Sequence, residues 1–509
     1  MRILVSCCVV LLWMSPALEA RELKPATVFS DHMVLQREKP VPIWGRGDPG
    51  EVVTVHFAGQ TKTATTTPDG KWQVHLDPLM ASAAPQTLTI QSNSQSGRRR
   101  EVTDVLVGEV WLGSGQSNMA MAVNRAQNFD TEQAAANLPL IRMFREESGA
   151  TPTLNPDAAG KWTVCSPDTV GTFSATLFFF GREVNRELGV PVGLINSSVG
   201  GTPIESWIAE DVQASVPELQ AAVAAAHKGD AEFDEARAKA DYAKALDRWQ
   251  QQVARAKAAG GPPPRRPRDP VEQRARRGGL GDLFNGKIHP LIPFALRGLL
   301  WYQGEANAQP GKGELYQHQL PLLVQDWRAR WGEELPFAWV QLPNFERTGD
   351  GWMLVREAML KSLQLPQTGM AITLDIGEPR DIHPRNKQEV GRRLALWALG
   401  TVYRRDVRAT SGPLLANQRV QGSEVVLTFD HATGGLKAST DFLRGFEIAS
   451  EDRQWKPASA RIQGNTVIVT TPDVTRPVAV RYAWAANPEA SLFNAAGLPA
   501  SPFRTAEWP

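Results

Sequence analysis

Val105-Leu106-Val107-Gly108-Glu109-Val110-Trp111-Leu112-Gly113-Ser114-Gly115-Gln116-Ser117-Asn118-Met119 decides how the rest of this 509-residue chain is read. The apolar run Val105 to Leu112 predicts a buried strand, and Asn118-Met119-Ala120-Met121-Ala122 predicts a helix start. Ser117 falls at the turn between them, where α/β enzymes display a nucleophile. A helix beginning there adds free amides and the positive end of its dipole. A serine that merely caps the helix has the same local sequence. The motif also departs from the G-x-S-x-G elbow, since Met119 takes the place of the second glycine. A nucleophilic serine requires a base and oxyanion donors elsewhere in the chain.

Downstream, short buried-strand candidates alternate with helical stretches. The strands are Leu140–Phe144, Val192–Asn196, Leu299–Tyr302, Phe337–Gln341 and Met370–Leu374; the helices include Phe173–Leu188, Glu314–Trp331 and Lys387–Tyr403. This alternation predicts an α/β fold, a parallel sheet covered by helices over residues 104–404, with ligands bound beyond the carboxyl ends of the strands. Residues 21–103 instead read as short alternating strands with turn signals such as Pro68-Asp69-Gly70-Lys71, an N-terminal β-sandwich module. The pattern reverts to β over 405–509, a second sandwich-like region. A charged insertion at about 209–280 interrupts the core. It is read as a solvated surface helix ending in a stiff basic loop, Gly260-Gly261-Pro262-Pro263-Pro264-Arg265-Arg266-Pro267, in preference to a substrate lid.

Composition bounds the functional classes. Hydrophobic residues make up 42%, charged residues 21%, and the formal net charge is +1, which gives no electrostatic reason to expect a nucleic-acid or anionic-membrane partner. Arg2, the apolar stretch Ile3 to Met14 and the small residues to Ala20 have the layout of a secretory signal peptide, residues 1–20. A periplasmic or secreted location follows as an expectation, with no membrane insertion after cleavage. Cys7 and Cys8 leave with that segment, so Cys165 is left alone, with neither an intrachain disulfide nor a cysteine-based zinc site.

Two histidines stand out as Ile-His-Pro: Ile288-His289-Pro290 and Ile382-His383-Pro384. His383 is the better base. It follows a strand through a loop, and Asp381 two residues earlier offers a carboxylate to orient the ring. Asn196-Ser197-Ser198-Val199-Gly200-Gly201-Thr202 follows another strand, and paired Gly200 and Gly201 allow backbone N–H groups to approach a substrate oxygen. Trp301-Tyr302-Gln303-Gly304-Glu305-Ala306-Asn307 ends a third. Gln303 could present an amide to an oxyanion, and Glu305 and Asn307 could bind sugar hydroxyls. Trp207, Trp301 and Trp352 lie near these blocks and could stack on sugar rings, although most tryptophans are core.

These blocks, with Asn285-Gly286-Lys287-Ile288-His289-Pro290-Leu291 and Val480-Arg481-Tyr482-Ala483-Trp484, resemble the sialate O-acetylesterase-like branch of the SGNH hydrolases. The resemblance implies a flavodoxin-like core and removal of O-acetyl groups from carbohydrate without metal or organic cofactor. It implies Ser117 as nucleophile, His383 as base, and Ser117, Gly200 or Gly201, and Gln303 as oxyanion donors. Many SGNH enzymes carry the acid three residues before the histidine, where this chain has Arg380. Asp381 is out of that register, so a triad and a Ser–His dyad helped by a backbone carbonyl both stay open. Export and the flanking β regions favour acetylated plant polysaccharide, of xyloglucan or xylan type, as partner; acetylated sialic acid is the alternative. A non-catalytic carbohydrate-binding protein is the alternative of a different class. Oligomeric state is unknown from the sequence.

Overall fold

The computed structural model describes residues 22–93, 97–347 and 349–508. The signal-peptide expectation for 1–20 therefore lies outside the described residues. The chain forms a mixed α/β structure around one central sheet. Across that sheet the order is Gly160–Val164, Ile141–Glu146, Val192–Ser198, Arg99–Gly115, Gly298–Tyr302, Phe337–Val340 and Thr368–Ala371. All neighbours pair parallel except the edge strand Gly160–Val164, which runs antiparallel to Ile141–Glu146. With Gly160–Val164 and its neighbour Ile141–Glu146 set aside, the order is 2-1-3-4-5, a doubly wound arrangement.

The strand predicted over 105–112 is longer than its apolar run, spanning the 17 residues Arg99–Gly115. Its first half pairs antiparallel with Ser82–Ser92 and parallel with Val34–Gln36; its second half is the middle of the core sheet. The position expected to separate the N-terminal module from the core, 103/104, thus falls inside one continuous strand. The burial pattern explains why hydrophobic periodicity marked a change there. Val105 to Gly115 is buried throughout, as a central parallel strand must be, whereas Lys71–Leu76 alternates exposed and buried.

Helices cover both faces. Ala175–Leu188 is capped by Ser174, whose side chain accepts from the Leu177 N–H, and is ended by left-handed Gly189. It packs against Lys387–Trp397 so closely that a Cβ on Gly391 would lie 2.6 Å from the Phe179 Cβ. Trp111, Phe180, Leu394 and Trp397 belong to the core on that side. On the other face, Tyr316–Trp331 and Gly351–Lys361 bury Trp327 and Trp352 with Trp301 and Trp339. The C-terminal region holds two four-stranded sheets. It is tied to the core by fully buried Arg356, which donates to the carbonyls of Leu342, Pro343, Ala485 and Ala486. No described helix is long and apolar enough to cross a membrane.

Candidate active site

Three strand ends converge on Gly115. Ser198 and Tyr302 are its register partners on either side, at the point where the chain order reverses across the sheet. Gly115 has φ +132°, and a Cβ there would lie 2.2 Å from the Tyr302 carbonyl oxygen, so only glycine lets the strands close up. Ser117 follows as the first residue of a single helical turn, Ser117–Ala120. One turn provides free N–H groups and little macrodipole. Gln116, not Ser117, occupies the cap position, and no side-chain cap bond forms. The Ser117 hydroxyl instead meets the His383 ring, with Oγ to Nε2 at 2.8 Å. The capping alternative is thereby removed.

Burial lowers the His383 pKa below the ordinary histidine value, and the positive charges of Arg125, Lys387 and Arg265 act the same way against Asp381. A neutral ring at neutral pH is the form that can accept a proton. The His383 Nδ1 lies 3.7 Å from the Asp381 carboxylate, ion-pair range but longer than a hydrogen bond. The Asp381 hydrogen bond goes to the His383 backbone N–H, at 2.9 Å. Asp381 thus shapes the loop and places negative charge near the ring without gripping it. His289 packs against Phe284 and does not line the cleft around Ser117.

The cleft has a volume of about 1000 Å³ and is lined by Ser117, His383, Gly200, Gly201 and Glu305 among others. A Cβ on Gly200 would lie 3.4 Å from the Ser117 Cβ, so the Gly200 backbone passes directly beside the serine. The N–H groups of Ser117 and Gly200 make no hydrogen bond among the described residues. They are therefore available to an oxygen developing negative charge.

Four sequence expectations need correction. Gln303 is 0% exposed and does not line the cleft. Its amide donates to the Thr202 carbonyl and to Asn307 Oδ1, and its oxygen accepts from the Tyr316 hydroxyl, which leaves no donor for an oxyanion. Asn307, 1% exposed, is spent on Glu205, the Ile204 N–H and Gln303. Trp207 is 0% exposed, packs edge-on against Trp301 and donates to Thr202 Oγ1, so it is core. These three residues hold the Gly200–Thr202 turn in place and none of them lines the Ser117 cleft. The basic stretch of the insertion, expected to be solvated surface, instead lines the cleft: Arg266, Pro267, Arg268, Asp269, Gln273, Arg276 and Arg277 all face it. The long helix Glu235–Ala258 before it has no buried residue, as expected of a solvated helix.

Sequence reasoning missed a polar cluster behind the serine. Asn118 donates to Glu305 and to the Ile382 carbonyl, and Lys387 Nζ donates to Asn118 Oδ1 at 2.7 Å and to the Pro384 carbonyl at 2.8 Å. Glu305, Asn118 and Lys387 are all buried. Burial raises the Glu305 pKa and brings Lys387 down to about 7. Asn118 was adjacent to Ser117 in the decisive stretch. Nothing in the sequence distinguishes Lys387 from the exposed lysines that commonly open helices.

Residues 107–258 and 286–399 match the sequence model of a family described as carbohydrate esterase, sialic acid-specific acetylesterase. Sialate O-acetylesterase of Rattus norvegicus is 30% identical over 532 residues, covering 94% of this chain and 93% of the rat protein. The Homo sapiens enzyme is 28% identical over 528 residues, with 94% and 91% covered. The crystal structure of a carbohydrate acetylesterase from Xanthomonas citri superposes with TM-score 0.80 at 33% identity, covering 96% of this chain and 100% of that one. A serine and a histidine meeting at the sheet's switch point, inside a fold shared along nearly its whole length, place the chain in the sialic acid-specific acetylesterase family of carbohydrate esterases.

Proposed function

We propose that this carbohydrate acetylesterase works by a serine nucleophile on an SGNH-type core. The 2.8 Å contact between Ser117 Oγ and His383 Nε2, at the floor of an open cleft, carries the reading. His383 takes the Ser117 proton as the oxygen attacks the acetyl carbonyl. The N–H groups of Ser117 and Gly200, with Gly201 beside them, face the resulting oxyanion. His383 then protonates the leaving sugar hydroxyl, and a water activated by His383 hydrolyses the acetyl-serine to acetate. The long Asp381–His383 ring distance supports a dyad assisted by nearby charge over a tightly bonded triad.

The acetylated sugar is read in two ways. An exported enzyme with flanking β regions suits plant xyloglucan or xylan fragments, whereas the names of the mammalian relatives favour sialate esters. Acetate release measured on O-acetylated sialic acid, xyloglucan and xylan fragments separates them. Turnover of a chromogenic acetyl ester that disappears in Ser117→Ala supports the serine mechanism. Turnover that survives the substitution overturns it, and absence of any turnover in the wild type returns the chain to a carbohydrate-binding role.

A further inference from the structure

The cleft holding Ser117 and His383 has a cationic wall that the acyl-transfer chemistry does not use. It comes from the arm that closes the insertion, where Arg266, Arg268, Arg276 and Arg277 line the cleft, with Arg125 joining from the core. The helix Pro270–Arg277 presents the last two; Asp269 caps its start by accepting from the Val271 and Glu272 N–H groups. Arg277 reaches the catalytic turn itself. A Cβ on Gly201 would lie 3.4 Å from its Nη2.

Three of these guanidinium groups have no protein partner. Among the described residues Arg268, Arg276 and Arg277 form neither an ion pair nor a hydrogen bond through their side chains, and the Arg277 Nε is buried without a partner. Burial, then the charges of Arg276 and Arg268, push the Arg277 pKa down from its usual value. Arginines at the C-terminal turn of a helix gain something from its dipole, but that leaves the Arg277 donors unfilled. The carboxylates in the cleft do not neutralise the wall. Asp269 is engaged as the helix cap, Glu305 is buried and held by Asn118, and Glu272 pairs with none of these arginines. Half-buried Arg277, with exposed Arg268 and Arg276 repelling it at the rim of an open cavity, forms a receptor for an anion.

Resting on the acetylesterase reading of the same cleft, we infer that the arm is an anion subsite in which Arg276 and Arg277 receive the carboxylate of an acidic acetylated sugar. A carboxylate accepts two parallel N–H bonds from one guanidinium, which fixes the sugar's orientation as well as its charge. The enzyme then selects acidic over neutral acetylated glycans, contrary to the neutral plant-polysaccharide expectation. The arm lies in 259–285, between the two stretches that match the family model. The carboxylate can come from a nonulosonic acid or from a uronic acid.

The test uses the full chain and two O-acetylated substrates, a sialic acid and a glucuronate-bearing xylo-oligosaccharide, each as carboxylate and as carboxamide. The wild type is expected to favour the carboxylate member in kcat/KM by roughly 10- to 100-fold, the range of a charge-assisted hydrogen bond. The preference should shrink as salt is added and collapse in Arg276→Gln/Arg277→Gln, with partial recovery in Arg277→Lys. The preferred source shows in which pair has the larger ratio. A wild-type ratio near unity, or one unchanged in the double variant, overturns the inference. Calorimetric binding of the same four compounds to Ser117→Ala reads the subsite without turnover. Tighter binding of the carboxylates there upholds the subsite even if the esterase reading fails, and equal binding overturns it.

Discussion

The Asn118 side chain, one residue after Ser117, donates to the carbonyl of Ile382, one residue before His383, at 2.9 Å. Lys387 donates to the carbonyl on the far side of the histidine, that of Pro384, and also to Asn118 Oδ1. The loop carrying His383 is therefore fastened on both sides by the cluster behind the serine. Asn118→Ala should lower kcat with a smaller change in KM, and should cost about 1–3 kcal/mol of stability by leaving buried polar groups unpaired. If Asn118 acts through His383, adding it to His383→Ala lowers kcat no further, whereas an additive loss would show an independent role.

Replacing the paired groups themselves should be far more damaging to turnover. Ser117→Ala and His383→Ala are each expected to reduce kcat by about 10³-fold or more with thermal unfolding little changed, and together to cost no more than either alone. His289→Ala, which alters a residue packed on Phe284 outside the cleft, should affect stability before rate. Acetate release and thermal melts on the three variants provide the comparison; a larger rate loss in His289→Ala would reverse the assignment of the base.

The pH profile should report the buried ring. His383 must be neutral to accept the Ser117 proton, so kcat/KM falls as pH drops through its pKa. Burial places that pKa below the ordinary 6.5, and the acid limb should lie below pH 6.5. Asp381 raises the ring's pKa by its charge, so Asp381→Asn should move the limb to still lower pH. A drop of several orders of magnitude in kcat, without that movement, would instead indicate that Asp381 bonds the ring during catalysis.

Gln303 gives a contrasting expectation. Its three side-chain bonds, to Thr202, Asn307 and Tyr316, are all internal. Gln303→Ala should lower stability by about 1–3 kcal/mol and reduce activity only through loosening of the Gly200–Thr202 turn. A rate loss of 10²-fold or more, roughly that of a missing oxyanion donor, with an unchanged melting temperature would restore the catalytic role that the sequence suggested.

Much of this arrangement was legible from residue type and position. A serine after a continuous apolar strand, a histidine in a loop before a helix and paired glycines at a third strand end are local signals, and the structure brings Ser117, His383 and Gly200 together. Gln303, Asn307 and Trp207 have the right chemistry for a site at almost the right place in the sequence. Whether a side chain at a strand end turns inward or outward is decided by tertiary neighbours, here Tyr316, Glu205 and Trp301. The arm was illegible for a related reason. Charge density marks a segment as solvated but does not say which cavity the solvent fills, and the return of residues 266–277 to the serine cleft depends on how a 24-residue helix projects.

The strand Arg99–Gly115 also bears on what counts as a unit of this protein. The sequence likeness to the family model begins at residue 107, well inside that strand. Its pairing with the N-terminal region runs on to Val107 and Gly108, and the pairing that seats Gly115 beside the Ser117 turn follows from Glu109 onward. The ancestry visible in sequence and the architecture visible in space therefore have different edges. A cut at the edge of the sequence likeness would pass through the strand that leads into Ser117, so the acetylesterase family region could not be lifted out or fused elsewhere there without severing it.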